Sequence, residues 1–465
     1  MDLIRPIAVQ KAVTNNSYKI CVVGAGHVGL VTAVCFAELG YKVICIDNDE
    51  NKIRALKRKI LPFYEPGLKP LVVKNLKAGN LTFSFLLKES ILKSEVIFIV
   101  VGTPPLADGS ADLAAVENIA RLIAENLNSY KLIVEKSTVP VQTGQKVKET
   151  IYRYRKHNVE FDVASNPEFL REGKAVYDFF HPDRIVIGVE SKRAELILKK
   201  LYSSIKAPLV TADINTSELI KHASNSFLST KISFINAVAR VCDLSGADIK
   251  KVSEAMGLDK RIGKDFLNAG IGYGGFCFPK DLEAFIYISK KLGYDFGLLR
   301  EVKKINEEQR AYFMGKIKEH LWVMKGKKIA ILGLSFKPDT DDMRFAPSVD
   351  IVKSLLKEGA NLSLYDPQAI KQAKEIFSAE GAALAHAQGS ALGGKDKRIK
   401  FSKSPYEAAK NSDCICFLTE WKEFYSLDLK RIKKVMHYPL IADGRNIFDK
   451  NKLTQLGFKY IGIGV

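Results

Sequence analysis

The sequence predicts an α/β protein with two doubly wound parallel-sheet domains joined by a long central helix. Short apolar runs alternate with helical stretches over residues 19–213, and the same alternation returns over residues 326–465. Parallel strands need crossover connections, which are usually helices, so this alternation is typical of a sheet covered by helices on both faces. The segment between the two blocks has helical periodicity, which predicts the joining helix.

Each candidate strand is a short apolar run bounded by turn residues. In the first block the runs are KICVVG, KVICID, LTFSF, VIFIVVG, LIVEKST, FDVASNP and RIVIGV. In the second block they are KKIAILGLSFK, ANLSLYDP, CICFLTE, PLIADGR and YIGIGV. We expect the central helix to begin at a cap on Asn215, because Glu218 follows three residues later as in a capping box. The Ala-, Gly- and Lys-rich segment 379–400 is predicted to be an exposed insertion.

Composition and charge exclude several classes of protein. The chain has 465 residues, and 71 Lys and Arg against 52 Asp and Glu give a net charge of +19. The basic residues are spread through helical patterns and form no block with aromatic residues between them, so we predict no nucleic-acid partner. Residues 20–37 are almost wholly apolar, but three glycines interrupt this window. We interpret the window as a strand and a buried helix rather than a membrane span.

The seven cysteines form no CxxC pair and no zinc-like cluster with histidine. We therefore expect free thiols, no structural metal and a reducing, cytoplasmic location.

A glycine motif predicts a dinucleotide site. Gly24, Gly26 and Gly29 form GAGHVG directly after the first strand and before a helix. Glycines there permit a tight turn and let a pyrophosphate approach the helix N-terminus. Asp47 ends the second strand, where a carboxylate can accept from both ribose hydroxyls and would repel a 2′-phosphate. The motif therefore favours NAD over NADP and a Rossmann-like domain.

A second motif, GIGYGGFCFPKD, places Cys277 after a glycine-rich loop. We interpret the glycines as positions where the backbone approaches a ligand closely. Lys280 follows the cysteine, and a nearby cation would favour the nucleophilic thiolate. Lys221 and Asn225 are four residues apart on the central helix and so share one face. From the residues alone, Lys221 is either a lysine with a buried stem and an exposed head or a functional group.

Together these motifs resemble the UDP-glucose/GDP-mannose dehydrogenase family, in order, from residue 19 to about residue 446. The segments that carry the resemblance are GAGHVG at 24–29, YEPGL at 64–68, GTPP at 102–105, EKSTVP at 135–140, NPEFLREG at 166–173, ELIKHASNSF at 218–227, GIGYGGFCFPKD at 270–281, LSFKPDTDDMR at 334–344 and DGR at 443–445. CFPKD together with RIG at 261–263 is more similar to the branch that uses UDP-glucose than to the GDP-mannose branch.

The resemblance implies a four-electron oxidation of the 6-hydroxymethyl group of UDP-glucose to a carboxylate, with NAD as cofactor. In that chemistry Cys277 attacks an aldehyde to form a thiohemiacetal, which is oxidised to a thioester and then hydrolysed. The alternative is the same chemistry on GDP-mannose or another UDP-sugar. A third possibility, from another class, is an NAD-binding protein that is catalytically silent.

The resemblance also implies roles for individual residues. The expected catalytic residues are Cys277, Lys221, Asp281, Asn225, Thr138 and Glu168. The expected cofactor-binding residues are Gly24, Gly26, His27, Val28, Gly29, Asp47, Lys52, Thr103, Thr138, Glu172 and Arg344. The expected substrate-binding residues are Glu168, Phe169, Leu170, Lys221, Asn225, Arg261, Asn268, Tyr273, Gly274, Phe336, Lys337 and Arg445, of which Arg261 would come from a neighbouring subunit.

The same resemblance suggests the domain organisation and a homo-oligomer that is at least a dimer. We expect an N-terminal extension at 1–18, an NAD-binding Rossmann domain at 19–213, a central helical dimerisation domain at 214–325 and a UDP-sugar-binding Rossmann-like domain at 326–465.

Overall fold

A computed structural model describes residues 18–377 and 397–465. The described chain divides into two compact units. The first unit runs through Ser224 and also contains Glu283–Tyr294. The second unit contains Asn225–Leu282 and Asp295–Val465. Most of the segment predicted as an insertion, 379–396, lies outside the described residues, as does nearly all of the N-terminal extension.

The first unit is built on an eight-stranded sheet of order β3-β2-β1-β4-β5-β6-β7-β8. Its strands are β1 (Lys19–Val23), β2 (Lys42–Ile46), β3 (Leu81–Ser84), β4 (Val96–Ile99), β5 (Lys131–Glu135), β6 (Phe161–Ser165), β7 (Ile185–Val189) and β8 (Leu209–Ala212). All seven strands expected from the sequence are present. The expectation missed β8, whose residues are only partly buried or exposed and therefore carry a weak apolar signal.

One strand pair departs from the predicted parallel arrangement. β6 and β7 are antiparallel, whereas the other neighbours in this sheet are parallel. An antiparallel neighbour starts at the same end of the sheet at which the preceding strand finishes. The connection over residues 166–184 therefore does not have to cross the sheet. This geometry keeps the whole NPEFLREG segment at the carboxyl end of β6.

The helices of the first unit cover its sheet. They are α1 (His27–Glu38), α2 (Glu50–Lys57), α3 (Leu68–Lys77), α4 (Leu87–Lys93), α5 (Ala114–Glu125), α6 (Thr143–Tyr154), α7 (Ala175–Phe180) and α8 (Lys192–Leu201). The apolar window at residues 20–37 forms β1 and the buried helix α1, as predicted. No helix among the described residues is long and apolar enough to cross a membrane.

The second unit contains a six-stranded sheet of order β11-β10-β9-β12-β13-β14, in which all neighbours are parallel. Its strands are β9 (Lys328–Leu332), β10 (Asn361–Tyr365), β11 (Ile399–Phe401), β12 (Cys414–Phe417), β13 (Leu440–Asp443) and β14 (Lys459–Ile461). The order repeats that of β3-β2-β1-β4-β5-β6, which confirms two Rossmann-like sheets. The sequence analysis assigned residues 399 and 400 to the insertion, but they are the first residues of β11. The predicted C-terminal boundary of the insertion was therefore too far along the chain.

Long helices join the two sheets in the chain. They are α9 (Ile214–Ser245), α10 (Ile249–Leu258), α11 (Cys277–Lys291) and α12 (Gly297–Leu321). The shorter helices that follow are α13 (Pro347–Lys357), residues 370–377, Pro405–Ala409, Lys422–Tyr425, Leu429–Val435 and Lys450–Gln455.

The predicted cap of the central helix was wrong. α9 begins at Ile214, and the Asp213 carboxylate accepts from the backbone N–H of Thr216 at 2.9 Å and from its hydroxyl at 2.5 Å. Asp213 therefore caps the helix, since a carboxylate just before the first turn satisfies an unpaired N–H. Glu218 instead accepts from the backbone N–H groups of Gln142 and Gly144, each at 2.7 Å, and so caps α6.

Candidate active site

The turn between β1 and α1 has the shape that a dinucleotide-binding turn requires. A Cβ on Gly24, whose φ is +110°, would lie 2.1 Å from the carbonyl oxygen of Val100. A Cβ on Gly29 would lie 1.9 Å from the carbonyl oxygen of Gly24. Around Gly26, by contrast, an added Cβ would meet no atom within 4 Å. The fold therefore requires glycine at positions 24 and 29. Gly26 instead leaves open space at the N-terminus of α1, where an anionic group is stabilised.

Asp47 lies beside this turn and is held as an anion. Its Oδ2 accepts from the backbone N–H of Ala25 and from the Lys52 ammonium group, both at 2.9 Å, and Oδ1 accepts from the N–H of Asp49 at 3.0 Å. Burial raises the pKa of Asp47, but the hydrogen bonds from Lys52 and the backbone outweigh burial, so the pKa lies below its ordinary value. Lys52 is thus a partner of Asp47 rather than an isolated surface charge.

The other expected cofactor residues of this unit are buried or partly buried. The His27 ring stacks on Phe63 with 4.0 Å between centroids, and Val28 packs against the core of the unit. The Thr103 hydroxyl donates to the carbonyl oxygen of Thr138 at 2.8 Å. Glu172 is partly buried. A glycine turn, a helix N-terminus and an ionised carboxylate at the end of β2 together fit NAD.

A buried ion pair joins Glu168 to Lys221. The Lys221 ammonium nitrogen lies 3.0 Å from Glu168 Oε1, and both side chains are 5% exposed. Glu168 Oε2 accepts from the backbone N–H of Leu170 at 2.5 Å. Lys221 also lies 5.3 Å from the centre of the Phe169 ring. Of the two interpretations that the sequence left open, Lys221 is therefore buried and paired, not a lysine with an exposed head.

The segment that carries Glu168, Phe169 and Leu170 is fixed at both ends. Near its beginning, the Lys136 ammonium group donates to Asn166 Oδ1 at 3.0 Å and to its carbonyl oxygen at 3.2 Å. Near its end, the two Glu65 oxygens accept from the backbone N–H groups of Gly173 and Ala175, each at 2.8 Å. The YEPGL motif therefore has a structural role, because its glutamate holds the NPEFLREG segment.

A second cluster lies in the other unit and centres on Asp281. Asn225 Nδ2 donates to Asp281 Oδ2 at 2.6 Å, and Lys280 Nζ lies 2.7 Å from Oδ1. The Asp281 side chain is 1% exposed. The Lys280 ammonium group thus pairs with Asp281, while its predicted influence on the Cys277 thiol stays a prediction.

Cys277 is the first residue of α11, one helical turn before Asp281. The helix dipole favours a thiolate at this position. All seven cysteines of the chain lie in the described residues and form no disulfide, and Cys277 is the one that is not fully buried. Cys277 is therefore the cysteine that a substrate can reach.

Several glycines of the loop before Cys277 pack closely against protein, while the approach of the loop backbone to a ligand stays a prediction. A Cβ on Gly272, whose φ is +92°, would lie 2.6 Å from Asn306 Oδ1. A Cβ on Gly274 would lie 2.3 Å from the carbonyl oxygen of Phe345. Side chains larger than hydrogen would displace the loop at these positions, so the glycines permit close packing.

Three buried amide side chains that we did not predict hold this loop. Asn236 Oδ1 accepts from Gly270 N at 2.8 Å, and Gln309 Nε2 donates to the Gly270 carbonyl oxygen at 2.9 Å. Asn306 accepts from Tyr273 N at 2.8 Å and donates to its carbonyl oxygen at 3.1 Å. The signal available in the sequence was polar amides at core positions of α9 and α12, which need partners when they are buried.

Arg445 does not present a free guanidinium group. It donates to the backbone carbonyl oxygens of Leu418 and Gly272, both at 2.9 Å, and of Phe336 at 3.4 Å. These bonds connect three loops, one of which is the glycine loop. Arg344 pairs with Asp342 through bonds of 3.0, 2.9 and 2.6 Å and lies 4.6 Å from the Phe276 ring. A substrate or cofactor contact at either arginine therefore remains a prediction.

The remaining expected substrate residues lie in several parts of the second unit. Tyr273 is 7% exposed and packs edge-on against Phe278, while Asn268 is exposed. Phe336 and Lys337 are partly buried, with the Lys337 ammonium nitrogen 5.4 Å from the Phe336 ring. Arg261 is 89% exposed and pairs with Asp259.

The second sheet repeats the first but not its dinucleotide site. Asp366 follows β10 as Asp47 follows β2, yet its carboxylate accepts six hydrogen bonds from within the unit. The donors are Leu334 N, Ser335 N, Ser335 Oγ, Trp421 Nε1, Gln368 N and Ala369 N. A carboxylate with these partners has little capacity left for ribose hydroxyls. The first unit is therefore the one suited to the dinucleotide.

Comparison with known proteins agrees with this division. The UDP-glucose/GDP-mannose dehydrogenase family model matches in three parts: its NAD binding domain at residues 18–206, its central domain at 215–308 and its UDP binding domain at 330–450. UDP-glucose 6-dehydrogenase TuaD of Bacillus subtilis is 43% identical over 96% of this chain and 93% of its own length. A UDP-glucose 6-dehydrogenase of Rhizobium meliloti is 44% identical over 96% of this chain and 99% of its own length. The structure of a UDP-glucose dehydrogenase from Pyrobaculum islandicum aligns with a TM-score of 0.87 at 34% identity, covering 99% of this chain and 100% of the other.

Proposed function

The chain belongs to the UDP-glucose/GDP-mannose dehydrogenase family, and from this premise we propose that it oxidises UDP-glucose to UDP-glucuronate with NAD⁺. The reaction consumes one UDP-glucose, two NAD⁺ and one water, and it yields one UDP-glucuronate, two NADH and three protons. The carbon that changes is the hydroxymethyl carbon of glucose, which passes through an aldehyde. The identity of 43% and 44% to two UDP-glucose 6-dehydrogenases, over almost their full length, supports UDP-glucose as the sugar nucleotide.

NAD⁺, when bound at Gly24, Gly26, Gly29 and Asp47, supplies the hydride acceptor. The residues of the chain control the oxygen and its protons. We propose that Lys221 and Asn225, one helical turn apart on α9, hold the oxygen that becomes negatively charged. Asp281, fixed by Asn225 and Lys280, takes part in proton transfer with an ordered water.

Cys277 provides the covalent step. Its thiolate adds to the aldehyde carbon and the carbonyl oxygen takes up a proton, which gives a thiohemiacetal. Loss of the remaining hydride and of the hydroxyl proton gives a thioester, and water then releases the carboxylate and the thiol. Glu168 is a candidate base for this water, and Thr138 is a candidate to position it. The position of Cys277 at the start of α11 supports its nucleophilic role, because the helix N-terminus stabilises the thiolate.

One observation carries the proposal most directly: Asn225 holds the Asp281 carboxylate at 2.6 Å, one helical turn from the partly exposed thiol of Cys277. An alcohol dehydrogenase that stops at the aldehyde has no need for a nucleophile beside an acid. A silent NAD-binding protein would need neither group.

The first test is the amount of NADH formed from a limiting, known amount of UDP-glucose with excess NAD⁺. We expect two NADH per sugar from the wild type and no UDP-glucuronate from Cys277→Ser. Cys242→Ser, which changes a buried cysteine on α9, is the matched control and should retain the ratio of two. One NADH per sugar in the wild type would refute the thioester route. No NADH with UDP-glucose, but turnover with GDP-mannose or another UDP-sugar, would reassign the substrate.

We further propose that the enzyme is cytoplasmic and forms a homo-oligomer that is at least a dimer. Seven cysteines that form no disulfide among the described residues support a reducing compartment. Exposed apolar side chains along α9 support an interface, since Phe227, Phe234 and Val241 are 65%, 52% and 61% exposed.

A further inference from the structure

We propose that His222 is a positioning residue for the last step of the reaction, in which water hydrolyses the thioester. The inference rests on the proposed function, where Thr138 is the candidate to position this water. In this step water attacks the carbonyl carbon, the carbon–sulfur bond breaks, and the carboxylate, the Cys277 thiol and one proton are released. His222 contacts none of the reacting groups in this proposal, so its effect passes through the backbone beside Thr138.

One face of α9 lies against the loop that follows β5. Ile214, Glu218 and His222 are spaced by four residues and so form one stripe on the helix. Glu218 accepts from the backbone N–H of Gly144 at 2.7 Å, and a Cβ on Gly144 would lie 2.5 Å from Ile214 Cγ2. His222 Nε2 lies 2.8 Å from the carbonyl oxygen of Val139. The stripe therefore holds the loop both at the start of α6 and in its middle.

The bond from His222 gives a donor to a buried carbonyl group. His222 and Val139 are both buried. A carbonyl oxygen only accepts, so Nε2 carries the hydrogen of this bond. A buried carbonyl oxygen without a donor is unfavourable. Without the imidazole, the loop would turn this carbonyl group toward another donor, and the peptide groups next to it would move.

Thr138 precedes Val139 and is held by its backbone. Its carbonyl oxygen accepts from the Thr103 hydroxyl at 2.8 Å, and the Ser137 N–H donates to the Ile99 carbonyl oxygen at 3.2 Å. The Ser137 hydroxyl also donates to a backbone carbonyl oxygen, at 3.3 Å. The Thr138 hydroxyl forms no hydrogen bond within residues 18–377 and 397–465, and Thr138 is partly exposed. The fixed backbone therefore directs a hydroxyl group that can hold a water in one place.

The same turn of α9 also contacts the segment after β6. Lys221 directly precedes His222, and its ammonium group lies 3.0 Å from Glu168 Oε1. Thr138 and Glu168 are the two groups proposed to act on the hydrolytic water. Adjacent residues of one helix thus hold the two chain segments that carry these groups. This arrangement supports a role for His222 in the reaction beyond the stability of the loop.

The experiment follows a single turnover of UDP-glucose with saturating NAD⁺. Stopped-flow absorbance records NADH, and mass spectrometry of acid-quenched enzyme records the thioester on Cys277. In His222→Leu we expect the thioester to disappear about tenfold more slowly than in the wild type, because the loop loses one buried hydrogen bond. The steps that form NADH should stay within about twofold of the wild-type rate, since hydride transfer does not use this water. A general loss of structure would slow every step.

His222→Gln and Phe285→Leu are the matched controls. The glutamine amide can donate to the Val139 carbonyl oxygen, so hydrolysis should recover to within about threefold of the wild-type rate. The Phe285 ring lies 5.9 Å from the His222 ring, and its replacement changes packing but removes no donor to the loop. Phe285→Leu should therefore hydrolyse the thioester at the wild-type rate. Hydrolysis in Phe285→Leu as slow as in His222→Leu would overturn the proposal, because packing alone would then explain the effect.

A double-mutant cycle with Thr138→Val tests whether the effect passes through Thr138. Thr138→Val should itself slow hydrolysis. Adding His222→Leu to this variant should slow hydrolysis by less than about twofold more, since the hydroxyl that His222 positions is already absent. A further loss of about tenfold would show that the two residues act independently and would overturn the proposal.

Two outcomes separate this proposal from the proposed function. A wild type that forms no thioester on Cys277 would refute the proposed function. A wild type that forms the thioester, together with a His222→Leu variant that hydrolyses it at the wild-type rate, would refute the role of His222 alone. If His222→Leu loses its far-UV circular dichroism, His222→Phe replaces it, since phenylalanine keeps a ring at this place and cannot donate.

Discussion

At the scale of single residues, burial decides which groups are charged. Glu135, the last residue of β5, is 1% exposed, and Glu168 is buried to a similar degree, but their partners differ. Glu168 faces the Lys221 ammonium group at 3.0 Å, whereas Glu135 Oε1 accepts a neutral backbone N–H from Ser137 at 2.8 Å. Burial raises the pKa of Glu135 to about 8 despite that hydrogen bond, and the Glu218 carboxyl group acts in the same direction. The two buried glutamates therefore differ in their partners, and Glu135 is a neutral acid near neutral pH.

This difference predicts a pH-dependent stability that Glu135→Gln should remove. A carboxyl group with a raised pKa contributes stability that is complete at low pH and is lost as pH rises from about 4.5 through about 8. Glutamine keeps the neutral shape at every pH. We therefore expect the melting temperature of the wild type to fall relative to that of Glu135→Gln between pH 6 and pH 9.

Thermal unfolding by circular dichroism at both pH values measures this effect. Glu149→Gln, which changes an exposed carboxylate on α6, is the control for a lost surface charge. If the difference in melting temperature between Glu135→Gln and the wild type is the same at pH 6 and at pH 9, Glu135 does not titrate in this range.

At the scale of elements, the two glycine-rich loops use glycine for different reasons. In the turn before α1, Gly24 and Gly29 contact neighbouring backbone, while Gly26 faces open space. In the loop before α11, Gly272 and Gly274 both contact protein atoms. The first loop therefore keeps room for a ligand at one position, whereas packing accounts for the glycines of the second.

The contrast within the first turn predicts opposite effects of two similar substitutions. Gly29→Ala places a Cβ 1.9 Å from a backbone oxygen, so it should destabilise the first unit by about 3 kcal/mol or more. Gly26→Ala has a permitted φ of −78° and no clash, so the fold should survive. Its methyl group would occupy the space that the pyrophosphate approaches, so we expect NAD binding to weaken at least about tenfold.

Melting temperatures with and without NAD, together with calorimetric titration, separate the two outcomes. Gly29→Ala should lower the melting temperature even without cofactor. Gly26→Ala should keep it without cofactor and lose the increase that NAD gives the wild type. Wild-type NAD affinity in Gly26→Ala would place the pyrophosphate elsewhere.

At the scale of the whole molecule, the exposed apolar residues of α9 bear on assembly. Phe227, Phe234 and Val241 are spaced by seven residues, so they form one stripe along the helix. Leaving two phenylalanine rings half exposed or more is unfavourable for an isolated chain. The stripe supports the expectation that subunits pair through the middle of the chain.

We expect the double variant Phe227→Asp/Phe234→Asp to shift the assembly to monomers, because a charge in an apolar interface is costly to desolvate. Size-exclusion chromatography with light scattering, at micromolar protein, measures the mass. Leu196→Asp changes an exposed leucine on α8, away from the stripe, and should leave the mass unchanged. A wild type that elutes as a monomer, or a double variant that keeps the wild-type mass, would contradict the interface.

The sequence by itself determined the features that depend on local spacing. The alternation of apolar runs predicted the two Rossmann-like sheets, the glycine spacing predicted the turn before α1, and the step of four residues predicted that Lys221 and Asn225 share a face. These patterns are encoded within one or two elements, where backbone sterics and helical periodicity suffice.

Tertiary structure alone decided the features that need residues distant in the chain. Glu218 caps α6 through Gln142, 76 residues earlier, and Lys136 donates to Asn166, 30 residues later. The amides of Asn306 and Gln309 hold a loop more than 30 residues earlier. Buried polar groups take whichever partner the fold brings within hydrogen-bonding distance, and that distance is set by packing, not by sequence spacing. For the same reason the charge of Glu135 could not be read from its identity, since desolvation and partners fix it only after the chain has folded.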